Sequence, residues 1–94
     1  MMHAVMVDGK VEMVDTTPLF EVESSTIDAI GYSNRMILLV RFKSTPRIVW
    51  AYDGVPYEMW LALQDAKSVG KFFYANIRGK YPEEKIIEEK EVKP

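Results

Sequence analysis

The residues best suited to chemistry in this chain are a glycine-containing helix start, an aromatic pair and a scatter of cations. Ser68-Val69-Gly70-Lys71 places a hydroxyl, a glycine and a lysine where a helix is expected to begin. This resembles an anion grip, in which free backbone N–H groups, the positive end of the helix dipole and a lysine converge on a phosphate. The segment lacks the upstream glycine and the Ser or Thr after the lysine that a Walker motif requires. A serine cap followed by a glycine for close packing explains it equally well, and capping is the favoured reading of Ser68, Gly70 and Lys71.

Trp50-Ala51-Tyr52 invites a second chemistry, because aromatic rings on an open sheet face are platforms for single-stranded bases. Trp50 and Tyr52 share a strand face with Ile48, however, and the neighbouring strand presents Leu38, Val40 and Phe42. Burial beneath helices is therefore the favoured role, with Trp50 kept as a stacking candidate beside Tyr74. The cations Lys67, Lys71, Arg78 and Lys80 are the candidate phosphate contacts, to which Arg41, Lys43 or Arg47 can add. Lys67, Lys71 and Arg78 are spaced by four and seven, near one helical face, although a cap at Ser68 interrupts that helix. A solvated charged face is the ordinary alternative.

Other chemistries are poorly served. The 94 residues include no cysteine and one histidine, His3, which leaves no thiolate ligand, no cysteine nucleophile and little for histidine catalysis. Asp28, Asp53, Glu58 and Asp65 have no acid/base spacing, and the serines have no plausible base. Glu83-Glu84 and Glu88-Glu89 lack the fixed oxygen cage of a hard-metal site. No enzyme, no cofactor and no metal site is expected. No apolar run approaches the roughly 20 residues that span a bilayer, so a soluble, cytoplasmic protein with no membrane partner is expected.

Charge is distributed unevenly along the chain. The formal net charge is −2, but residues 1–31 carry −5, residues 32–82 carry +5 and residues 83–94 carry −2. An overall acidic chain opposes a dedicated nucleic-acid protein, since phosphate contacts supply most non-specific affinity; only a local basic patch is left.

The elements that must position these residues follow from periodicity. Apolar-rich arms flank Asp8-Gly9, the dipeptide suited to a two-residue turn, and predict an N-terminal β-hairpin. Thr16-Thr17-Pro18 breaks the pattern and is the best candidate boundary. Residues 25–32, 35–43 and 47–53 read as three strands joined by Ser33-Asn34 and Ser44-Thr45-Pro46, which predicts an antiparallel meander. Pro56 suits a first helical turn, and Met59, Leu63 and Ala66 form its apolar stripe. Ser68 opens a second helix in which Val69, Phe73 and Ile77 align, with Gly79 after its end. Residues 83–94 are mostly charged and read as a frayed helical extension or a tail. The fold class expected is α+β: a three-stranded antiparallel β-meander followed by two short helices packed on one face, preceded by an N-terminal β-hairpin.

In this order the anchors Ser24-Ser25-x-Ile27, Ile30-Gly31-Tyr32, Leu38-x-Val40-x-Phe42, an aromatic-x-Tyr pair, Val55-Pro56, Ala66-x-Ser68-x-Gly70-Lys71, Phe73, Ile77-Arg78 and Tyr81-Pro82 resemble the KTSC domain. This small module is found at the C-terminus of some lysyl-tRNA synthetases and as stand-alone bacterial or phage proteins. Two positions depart from the family pattern: Trp50 stands for the first tyrosine of a Tyr-x-Tyr, and Tyr74 for an asparagine. The resemblance spans residues 24–82 and implies a domain there, with residues 1–23 as a hairpin extension and residues 83–94 as a charged tail. It implies no catalytic activity, and its synthetase context implies RNA as a partner only by analogy.

Two function classes result. One is a non-catalytic module binding RNA or another single-stranded nucleic acid, with Lys67, Lys71, Arg78 and Lys80 on phosphate and Trp50 or Tyr74 stacking on bases. The other is a protein-interaction or self-association module that uses a sheet edge or the N-terminal hairpin.

Overall fold

The computed structural model describes residues 2–7 and 9–87. Its elements run β1 (Met2–Val7), β2 (Lys10–Asp15), β3 (Phe20–Glu21), β4 (Ile27–Tyr32), β5 (Ile37–Phe42), β6 (Ile48–Asp53), α1 (Tyr57–Asp65), α2 (Val69–Asn76) and β7 (Glu83–Ile87). The fold is α+β, as the residue pattern implies. β1 and β2 form an antiparallel hairpin in their own two-stranded sheet. Gly9 adopts φ +77° in its turn, the left-handed conformation that a glycine enters without steric cost. Asp8 lies outside the described residues.

The expected meander β4-β5-β6 is the centre of a larger antiparallel sheet in the order β3-β4-β5-β6-β7. The two outer strands are the difference from the sequence reading. Phe20 and Glu21 pair with Ile30 and Ala29, too short a strand to leave a periodic signal. Residues 83–87 are a strand, not a helical extension or tail: Glu83 pairs with Tyr52, Lys85 with Trp50 and Ile87 with Ile48. An edge strand in a charged segment is stabilised chiefly by the backbone groups of β6 that would otherwise lack partners. Residues 88–94 of the expected tail lie outside the described residues.

Alternation along the central strands serves two cores. On one face Ile30, Leu38, Val40 and Tyr52 pack with Trp60 and Leu63 of α1 and with Val69, Phe73 and Ile77 from α2 and its cap. Tyr32 stacks on Trp60 at 5.3 Å between centroids, and its hydroxyl donates to the Val55 carbonyl at 2.6 Å. The other face carries Ile37, Leu39, Val49 and Ala51, which cluster with Val14 of β2 and with the partly buried Leu19 and Ile86.

The segment around Pro18 is therefore docked, whatever break the proline makes in the pairing. Thr16 bridges to Ser33, the Thr17 N–H donates to the Tyr32 carbonyl at 2.8 Å, and Thr17 Oγ1 accepts the Tyr32 N–H at 2.9 Å. Arg35 and Glu12 form an ion pair between the start of β5 and the hairpin. Among the described residues no helix is long and apolar enough to cross a membrane.

Candidate functional site

The start of α2 shows what the Ser68 to Lys71 segment does. Ser68 has extended dihedrals, and its Oγ accepts the Lys71 N–H at 3.2 Å, so the side chain fills the position a phosphate oxygen would take. A Cβ built on Gly70 would stand 2.8 Å from Thr26 Oγ1 and 3.2 Å from Ser24 Oγ. The glycine thus lets the first turn of α2 press against the corner leading into β4. That corner is organised by Ser24, whose Oγ accepts the Thr26 and Ile27 N–H groups at 3.2 and 3.1 Å. Capping and close packing account for the motif. Lys71 remains exposed.

The aromatic pair divides between two roles. Tyr52 is 1% exposed and packs edge-on to Phe73 at 5.2 Å. Trp50 is only partly buried; this differs from the expectation that it lies beneath the helices. Both helices lie over the part of the sheet that holds Tyr52 and Val40, and the end of β6 at Trp50 opens into a cleft.

That cleft, about 340 Å³, is lined by residues from separate parts of the chain, among them Thr26, Lys43, Trp50, Tyr52, Tyr74, Arg78 and Glu83. Its floor is β6, one wall is the end of α2, and β7 supplies the other side. Tyr74 lies 6.4 Å from Phe42 in a near-parallel arrangement, and the Arg78 guanidinium sits 5.3 Å from the Tyr74 ring centroid, a cation–π geometry. A second groove, lined by Ser24, Ser25, Thr26, Ser68, Gly70, Lys71, Tyr74 and Ala75, shares Ser25, Thr26 and Tyr74 with the first.

Glu83, which the residue pattern assigns to a tail, lines the cleft. Its register partner across the sheet is Tyr52, and its carboxylate is the acceptor toward which the Tyr52 hydroxyl can bond. Burial, then that bond and the Glu83 charge, hold the Tyr52 hydroxyl well above the ordinary tyrosine range, while the nearby Arg78 pulls the other way. The only hint in the chain is that Glu83 follows Pro82 in a charged segment that also holds the β-branched pair Ile86-Ile87.

Of the candidate residues, the structure brings Trp50, Tyr74 and Arg78 to the main cleft, and Ser68, Gly70, Lys71 and Tyr74 to the adjoining groove. Lys67 and Lys80 line neither. Lys67 sits in the connection between α1 and α2, and Arg78 follows the end of α2, so Lys67, Lys71 and Arg78 do not share one helical face. Lys43 joins the cleft rim. Arg41 is committed to Asp28, whose Oδ2 accepts from its Nε at 2.8 Å beside the irregular pairing between Ile27 and Ala29. Among the described residues no three His, Cys, Asp or Glu side chains converge as a metal site would need.

Comparison with known proteins shows the family. The family model of the KTSC domain matches residues 23–81, more than half of the chain. The chain belongs to the KTSC domain family. A crystal structure of a KTSC domain protein from Yersinia pestis is similar to it with a TM-score of 0.70 and 32% sequence identity, over 77% of this chain and 99% of that one. No curated protein matches the chain. Trp50 and Tyr74, the two positions that the resemblance marks as departures, both line the cleft.

Proposed function

We propose that this KTSC domain is a non-catalytic binding module that takes single-stranded RNA along the cleft between the end of α2 and strands β6 and β7. The observation that carries the reading is one cleft lined together by the partly exposed rings of Trp50 and Tyr74 and by Arg78, whose guanidinium sits over the Tyr74 ring. Base stacking needs an accessible π-face, and phosphate needs cations beside it. Lys43 on the rim and Lys71 in the adjoining groove meet the second need. Three cations from the basic middle of the chain, Lys43, Lys71 and Arg78, thereby stand beside aromatic surface.

Titration of a labelled uridine-rich strand at two salt concentrations tests this. Lys43→Glu with Lys71→Glu should weaken binding for every sequence alike and reduce the salt slope by about one per lysine. Tyr74→Ala should lower affinity by roughly 1–3 kcal/mol, the range for loss of one stacked base. No binding by the folded wild type ends the RNA reading.

The second reading, a protein-interaction or self-association module, is favoured by the hairpin. Met2, Val11 and Met13 are 55%, 68% and 58% exposed, large apolar side chains collected on one small element. A sedimentation series that shows mass rising with concentration, and no RNA binding, would select it.

A further inference from the structure

We infer that the cleft selects guanine, with the Glu83 carboxylate as the group that recognises the base. This rests on the RNA reading and adds to it the base that the site prefers. The argument begins with how Glu83 is held. Cross-strand pairing with Tyr52 fixes its backbone at the side of the cleft, which Tyr52 and Glu83 both line. Tyr52 is itself buried and locked against Phe73. The acid is thus aimed by the core, unlike Glu84, which pairs with Ala51 on the opposite face.

An ionised carboxylate only accepts hydrogen bonds, and its two oxygens offer about four sites. Even with one turned to the Tyr52 hydroxyl, it can take two adjacent donors from a ligand. Among the bases, guanine alone presents two adjacent donors on its Watson–Crick edge, the ring N1–H and the exocyclic N2 amino group. Uracil offers one donor flanked by carbonyls, and adenine and cytosine set a ring acceptor beside their amino group, which a carboxylate repels. A base held against Trp50 or Tyr74 would bring that edge to Glu83, since all three line one cleft. The cleft volume of about 340 Å³ falls in the range of about 300–1,000 Å³ typical of small-ligand sites.

Charge makes a further point. A carboxylate in a phosphate-binding cleft lowers affinity for every strand unless it gains something specific in return, and Arg78 nearby offsets only part of that repulsion. Removing the charge should therefore raise general affinity while erasing base preference, a split that a purely structural role would not give.

The test uses the full chain and four labelled RNA pentamers, uridine throughout except for a central guanine, adenine, cytosine or uridine, followed by anisotropy at low salt. Wild type should bind the guanine pentamer about ten-fold tighter than the other three, within the range for a bidentate side-chain-to-base contact. Glu83→Gln should bring all four within about two-fold of one another, with uridine-pentamer affinity equal to or above wild type. Glu84→Gln, on the other face, should keep the preference. Thermal melts of both variants establish that the fold is retained, and Tyr52→Phe, which removes only the hydroxyl that aims Glu83, should reduce the preference without abolishing it. Equal binding of all four pentamers by wild type overturns the guanine assignment and leaves RNA binding standing. A preference that survives in Glu83→Gln, or is lost equally in Glu84→Gln, also overturns it. Binding of none of them overturns this inference and the RNA reading together.

Discussion

Removal of residues 1–17 should destroy cooperative folding, although Pro18 and the start of the family match at residue 23 mark the hairpin as an appendage in sequence. Val14 is 1% exposed and packs with Ile37, Leu39, Val49 and Ala51, themselves between 0% and 3% exposed. Burying Ile, Leu and Val side chains contributes about 1.5–3 kcal/mol each, so uncovering Ile37, Leu39 and Val49 puts roughly 5–9 kcal/mol at risk as an upper estimate. If Leu19 and Ile86 still shield half of that surface, ~3 kcal/mol is lost. The backbone contacts of Thr16 and Thr17 with Ser33 and Tyr32 go as well. Against a total of roughly 5–14 kcal/mol for 94 residues, the truncated domain is marginal at best. A milder perturbation isolates the packing: Val14→Ala in the full chain deletes two carbons at about 0.8 kcal/mol each and leaves a small cavity, for a loss of about 2 kcal/mol. Thermal denaturation should show Val14→Ala melting roughly 8–16 °C below wild type and the truncated chain with a broad transition or none. The Yersinia pestis relative is spanned almost whole by 77% of this chain, so the result separates an obligatory cover from an optional addition. A truncated chain that unfolds cooperatively at the wild-type midpoint would refute the reasoning.

Two further outcomes follow from the site. Gly70→Ala should destabilise the domain by about 1 kcal/mol through overpacking against Thr26 Oγ1, and adding Thr26→Ala should recover most of that loss in a double-mutant cycle of urea midpoints. Tyr52 has its hydroxyl raised above the usual range, first by burial. Its contribution is therefore fully present below the ordinary tyrosine value of about 10 and is lost as pH rises through the folded value. Wild type should lose melting temperature between pH 10 and pH 11, and Tyr52→Phe should lose less over that interval.

Much of this architecture is local information. Alternation in β4, β5 and β6 has a period of two, and Val69, Phe73 and Ile77 recur at helical spacing, so the strands, the second helix and the α+β class are legible without knowledge of distant partners. The Ser68 cap is equally local, because its acceptor and donor are three residues apart. The same local reasoning passes over β7, since a charged strand becomes one only when β6 offers it an unpaired edge. It also treats the hairpin as detachable, because nothing in Val14 announces the second face of the sheet that it covers. The cleft lies beyond local reasoning altogether. Trp50 and Tyr74 are visible in the chain as aromatic residues, yet whether a ring is core or surface depends on where the helices end over the sheet. Glu83 becomes a site residue only through its pairing with a buried Tyr52. Sequence thus determined the elements, whose periods are set by backbone geometry within a few residues; tertiary structure alone decided the candidate site, whose members at positions 26, 43, 50, 74, 78 and 83 meet because the end of α2 packs beside one face of the sheet at β6 and β7.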